Sequence, residues 1–157
     1  MDGVLNSDEF FKQSSPIMDF GEGQIDPKLV ANLNQLVNAT GAKIVISSSW
    51  RHVWDHEEIE QMLVSKGFQH QGSVIDRTPE SEGGFRGKEI EDWIALHAER
   101  KVVDDQQMPI ESFVILDDNN DFTTTQQQHF VHTNPKRGLS TQDVKKAIGI
   151  LNGGLNL

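Results

Sequence analysis

The chain has 157 residues, 36% hydrophobic and 24% charged, which fits one soluble globular domain and excludes disordered and fibrous classes. Zero cysteines exclude disulfides, thiolate nucleophiles and cysteine zinc sites, so any catalysis falls to carboxylates, hydroxyls, histidines or a hard metal ion. With 24 acidic against 14 basic residues, the net charge of −10 argues against binding along extended duplex nucleic acid, where affinity comes from neutralising many phosphates, and leaves room for a basic patch at one site.

Taken in chain order, residues 6–25 form the longest stretch without a regular pattern, and Phe10, Phe11 and Phe20 lie in it. A loop of that length in a compact domain is usually either functional or a misassigned element. Asp26 followed by Pro27 supplies an N-cap and a preset first turn. Leu29, Val30, Leu33, Leu36 and Val37 then fall on one helical face, and Gly41 offers a left-handed C-terminal cap. Residues 42–47 (AKIVIS) read as a strand buried on both faces. Asp55 and Glu58 open a second helix carrying Ile59, Met62 and Leu63 that stops at Gly67. Residues 73–75 are a weak strand. A third helix follows Gly87, marked by Ile90, Trp93, Ile94 and His97. Residues 113–116 (FVIL) form a strong strand and residues 129–132 a weak one. Ser140 with Asp143 opens the last helix, with Val144, Ala147, Ile148 and Leu151 inward and Gly153 and Gly154 closing it. Strands and helices that alternate over short connections predict an α/β fold, a three-layer Rossmann-like sandwich with a mostly parallel sheet, as a single domain over 1–157. No apolar run approaches the ~20 residues that span a bilayer, and a signal peptide is lacking at the N-terminus, so a cytoplasmic protein is expected.

In open parallel sheets, ligands bind outside the carboxyl ends of the strands. Three polar clusters follow apolar runs and belong at that edge: Asp2 to Asn6, Ser47-Ser48-Ser49-Trp50-Arg51, and Asp117 to Asp121. A fourth, Arg86-Gly87-Lys88, sits ahead of a helix and brings positive charge. Together they suit a phosphoryl group and Mg²⁺, with hard carboxylate oxygens for the metal and hydroxyls and cations for phosphate oxygens. Taken singly each has a plainer reading: a solvated turn at Asp117–Asp121, a strand-to-loop transition at the serines, surface charge at Arg86 and Lys88. Trp50, Trp54 and Trp93 read as packing rather than as a base-stacking platform. His52 and His56 stand four apart, but a solvated helix start explains them better than a transition-metal site.

In order, the clusters resemble the haloacid dehalogenase superfamily of phosphohydrolases. The matching motifs are Met1-Asp2-Gly3-Val4-Leu5, Ile44-Val45-Ile46-Ser47-Ser48, Arg86-Gly87-Lys88 and Ile115-Leu116-Asp117-Asp118. More narrowly the chain looks like the small bacterial and phage group related to the phosphatase domain of Swiss-Army-knife RNA repair proteins, through DGVLNS, GAKIVISSSWR, TP at 78 and 79, RGKEIEDWI, FVILDDNNDF and HTNPKRGLS. The resemblance implies an aspartyl-phosphate mechanism with nucleophilic and acid–base steps. It implies that Asp2 is the general acid and base, with its backbone carbonyl on the metal, and that Ser48 holds phosphate with Ser47 as the alternative. Arg86 or Lys88 would neutralise the phosphoryl group, and Arg51 would hold substrate. Asp117 and Asp118 would bind Mg²⁺, with Asp121 supporting them. It also implies a capless, open site, which suits a phosphorylated substrate that is either a nucleic-acid end or a small molecule.

One departure is large. The family's nucleophile stands two residues before Asp2, at the end of a central apolar strand, and both fall outside the chain. Losing four buried apolar side chains removes on the order of 6–12 kcal/mol, comparable with the ~5–15 kcal/mol stability of a whole domain. The domain is thus N-terminally truncated relative to the family. Either a longer product begins upstream with Met1 internal, or the chain is a catalytically silent phosphate- or nucleotide-binding pseudoenzyme, or another chain supplies the strand. It is an enzyme, a phosphatase, only if the nucleophile is restored.

Overall fold

A computed structural model of the chain describes residues 1–14, 21–103 and 109–153. Five helices, α1 (Asp8–Gln13), α2 (Pro27–Thr40), α3 (His56–Ser65), α4 (Arg86–Val103) and α5 (Thr141–Leu151), accompany four short strands, β1 (Ile44–Ile46), β2 (Val74–Arg77), β3 (Ile115–Asp117) and β4 (Phe130–His132). Among the described residues these four strands pair in parallel, as the alternating pattern predicts.

Three helices form where their end signals predict. Asp26 accepts from the Lys28 N–H ahead of α2, and Gly41 closes that helix at φ +66°. Full capping boxes open α3 (Asp55 with Glu58) and α5 (Ser140 with Asp143). Leu29, Val30, Leu33, Leu36 and Val37 of α2 are buried, and α2 packs against α5. In α5 the buried positions are Val144, Ala147 and Ile150, with Ile148 and Leu151 only partly covered. Ile150, three residues after Ala147, thus lies on the same inward face as its partly covered neighbours. Two other boundaries shift. The segment expected to lack structure holds α1, capped by Ser7, and a 3₁₀ turn over Glu22–Gln24. Helix α1 buries none of its residues, so it leaves no hydrophobic period to detect. Helix α4 begins at Arg86 rather than after Gly87, because Asp121 accepts from the Arg86 N–H through Oδ2 (3.2 Å) and from the Gly87 N–H through its carbonyl (3.0 Å). Phe20 and Gly154 lie outside the described residues.

The sheet comes as two separate pairs, β1 with β2 and β3 with β4. Among the described residues no backbone hydrogen bond joins β1 to β3, so each keeps an unpaired edge. The consequence is visible in burial: Ile44 and Val45 are half-covered, although their run reads as a strand enclosed on both faces. No described helix is long and apolar enough to cross a membrane.

Strand β2 is tied to α4 through Asp76, whose Oδ2 accepts from Trp93 Nε1 (2.9 Å) and Arg100 Nη1 (3.2 Å), while Oδ1 accepts from the Arg77 N–H. Partial burial alone would raise the Asp76 carboxyl, but these donors outweigh it and hold the group below its ordinary value. A depressed carboxyl contributes stability that is complete above its unfolded pKa and is lost as pH falls through the folded value. Asp76→Asn is therefore expected to cost about 1 kcal/mol at pH 7 and progressively less as the pH falls below about 4, read from urea unfolding across that range.

Candidate functional site

The segment after Met1 is a closed turn. Asn6, almost fully buried, accepts from the Gly3 N–H through Oδ1 (2.9 Å) and donates through Nδ2 to Asp2 Oδ1 (2.7 Å). The Thr133 hydroxyl donates to the Gly3 carbonyl (2.7 Å), the Leu139 N–H donates to Val4 O (2.8 Å), and the Asp26 N–H to Leu5 O (2.9 Å). These bonds set Gly3, at φ +66°, directly against Asp118, where any Cβ would collide with the carboxylate. The Asp2 side chain stays exposed, and its Oδ2 receives no hydrogen bond among the described residues.

The acid pair closes the other side. Asp117 ends β3, and Asp118 follows it with its backbone carbonyl held by His132 Nε2 (2.8 Å). Burial, and then the adjacent Asp117 charge, push the Asp118 carboxyl above its ordinary value. Burial lowers the pKa of the Met1 amino group, against the charges of Asp2, Asp117 and Asp118, which raise it.

Arg86 links the acids to β1. Its Nη1 donates to the Ser47 carbonyl and lies 3.8 Å from Asp117 Oδ2. Lys88 is instead exposed and paired with Asp92 one turn along α4, so of the two cations only Arg86 joins the cluster. Ser47 enters through its carbonyl. Ser48 caps the following 3₁₀ turn, accepting from the Trp50 N–H (3.2 Å), which leaves its hydroxyl hydrogen to donate. Trp50 is buried and packs on Trp54 at 5.2 Å, a packing role as expected. His52 pairs with Glu80 (2.6 Å).

Arg51 is buried and bound to protein. Nη1 donates to the Ser47 and Ser48 carbonyls, and Nη2 meets Glu89 Oε2 at 2.7 Å with both side chains under 5% exposed. Burial pushes the guanidinium down, and Glu89 opposes that. Sequence reasoning missed Glu89. It also accepts from the Ser81 N–H (3.2 Å) and stands 3.9 Å from Arg86 Nε, so it positions both arginines. The available signal was its place three residues after Arg86, on the same face of the first turn of α4.

Asp2, Asp117, Asp118, Arg86, Ser47 and Ser48 are thus gathered at one end of the strands, while Asp121 is occupied as a helix cap. Among the described residues no group of three or more His, Asp or Glu side chains stands in metal-binding geometry. The adjacent Asp117 and Asp118 carboxylates nonetheless fit Mg²⁺, which keeps several waters and takes one or two carboxylates together with substrate oxygens. Glu89→Ala, which leaves the Arg51 charge buried and alone, is expected to cost about 3–5 kcal/mol in urea unfolding. The double variant Arg51→Met/Glu89→Leu is expected to recover most of that loss.

No curated protein and no solved structure matches the chain significantly. The family described as "HAD domain in Swiss Army Knife RNA repair proteins" matches residues 1–144, and with them the gathered acids, serines and arginine. The chain therefore belongs to this family of haloacid-dehalogenase-like domains.

Proposed function

We propose that the complete protein is a cytoplasmic, Mg²⁺-dependent phosphomonoesterase acting on nucleic-acid ends, with an apolar strand and a nucleophilic aspartate ahead of Met1. The observation that carries this reading is the convergence of Asp2, the Asp117–Asp118 pair and Arg86 beside the carboxyl end of β1. The edges of β1 and β3 that stay unpaired among the described residues support an additional strand, which could pair with them. The family's description, which places its domains in RNA repair proteins, supports a nucleic-acid end as substrate.

In this reading the upstream carboxylate forms a bond to phosphorus as the bond to the leaving oxygen breaks, and Asp2 gives that oxygen its proton. Asp2, now ionised, takes a proton from water as the water oxygen attacks phosphorus, the bond from phosphorus to the upstream carboxylate oxygen breaks, and phosphate and the free carboxylate are released. Arg86 neutralises charge on the phosphoryl oxygens, and the Ser48 hydroxyl donates to one of them. Asp117 and Asp118 would hold Mg²⁺, which when bound would supply further positive charge to the phosphoryl group.

The coding sequence upstream of Met1 is expected to run in frame through four or five apolar codons to an Asp one codon before Met1. The chain extended by that sequence is expected to release phosphate from an aryl phosphate with Mg²⁺ and to lose the activity in EDTA. Asp2→Asn is expected to lower kcat about 10²–10⁴-fold. An extended chain that releases no phosphate, and whose Asp118→Asn variant binds Mg²⁺ unchanged, is a silent phosphate-binding module instead.

A further inference from the structure

Asn6 sits in the turn that carries Asp2 and is only 2% exposed, although its side chain is an amide. A buried amide is costly unless its polar atoms are met, and here the partners settle which way it points. The Gly3 N–H can only donate, so the atom it meets at 2.9 Å is the amide oxygen, Oδ1. The opposite end of the same planar group, Nδ2, can only donate, and it meets Asp2 Oδ1 at 2.7 Å. One buried side chain thus joins the backbone of Gly3 to the carboxyl group of Asp2.

The turn is tied in its own right to the acid pair. Thr133, 1% exposed, donates its hydroxyl to the Gly3 carbonyl (2.7 Å) and its N–H to the Asp117 carbonyl (2.9 Å). Asn6 is therefore the last link in a buried chain that runs from the end of β3 to an exposed carboxyl group.

These bonds make the two oxygens of Asp2 unequal. Oδ1 accepts from Nδ2, whereas Oδ2 receives no hydrogen bond among the described residues. A hydrogen on Oδ1 would compete with the Asn6 donor for the same place, so the protonated carboxyl group carries its hydrogen on Oδ2. We infer that Asn6 is a positioning residue, which keeps the acid proton of Asp2 on Oδ2 and available to the leaving oxygen. The inference rests on the phosphomonoesterase reading for the reaction, and on the buried hydrogen bonds alone for which oxygen carries the proton. As the upstream carboxylate bonds to phosphorus, the electron pair of the breaking bond to the leaving oxygen takes the Oδ2 proton. The charge left on Asp2 is met by the Asn6 Nδ2–H, whose hydrogen bond strengthens as the carboxyl group ionises.

The test compares phosphate release by the complete protein from two monoesters. A nitrophenyl phosphate has a leaving oxygen that departs with little help, whereas the strongly basic oxygen of an alkyl phosphate needs a proton. The readout is the ratio of their kcat/KM values, which does not change with the fraction of protein folded. Asn6→Asp keeps the shape and the acceptor for the Gly3 N–H, but the Asp2 proton is then shared between two adjacent carboxyl groups; Asn6→Ala removes both bonds. Each variant is expected to lower kcat/KM for the alkyl phosphate about tenfold more than for the nitrophenyl phosphate. In an Asp2→Asn background neither is expected to move the ratio further, because Asn6 acts through Asp2. An unchanged ratio, loss of both substrates alike (complete loss included), or a further shift in the Asp2→Asn background would each overturn this role and leave the phosphomonoesterase reading in place. Failure of the unsubstituted protein to release phosphate from either monoester would overturn that reading, and the role of Asn6 with it.

Discussion

The buried contact between Arg51 and Glu89 is the constraint on which the arrangement of the site depends. Two opposite charges removed from water must stay together, because either one alone would carry its full desolvation cost. Holding them 2.7 Å apart clamps the turn that leaves β1 to the first turn of α4. Arg86, three residues before Glu89, is thereby brought to the Ser47 carbonyl and to Asp117. The position of the positive charge opposite the acids is thus set by a carboxylate that itself faces no substrate.

Around Asp118 the governing constraint is repulsion between like charges. Its carboxyl is half-buried, adjacent to Asp117 and pressed against the backbone of Gly3, a placement that favours a positive partner. Arg86 supplies some of that charge, and a hard divalent cation would supply more.

Much of the fold is legible in the residues. Asp26-Pro27, Asp55 with Glu58, and Ser140 with Asp143 announce their helices because capping is a local interaction within a single turn. The apolar runs at 42–47 and 113–116 announce β1 and β3, though only three residues of each are paired. Helix α1 was hidden because it faces solvent and has no apolar period. Of the site, the acids, serines and cations were legible as chemistry at strand ends. Glu89 was not, being one acid among 24 with no local mark of burial.

By itself, the sequence determined the class of chemistry, since zero cysteines and two aspartate clusters leave carboxylates and a hard cation, and it determined the order of the motifs along a parallel α/β scaffold. Only the tertiary structure decided that Arg86 rather than Lys88 enters the site, that Asp121 caps a helix, and that Arg51 is buried on Glu89. The physical reason is range. Periodicity and capping act within about four residues along the chain, whereas the partner of a charge is chosen by spatial proximity, here between residues 38 apart in sequence.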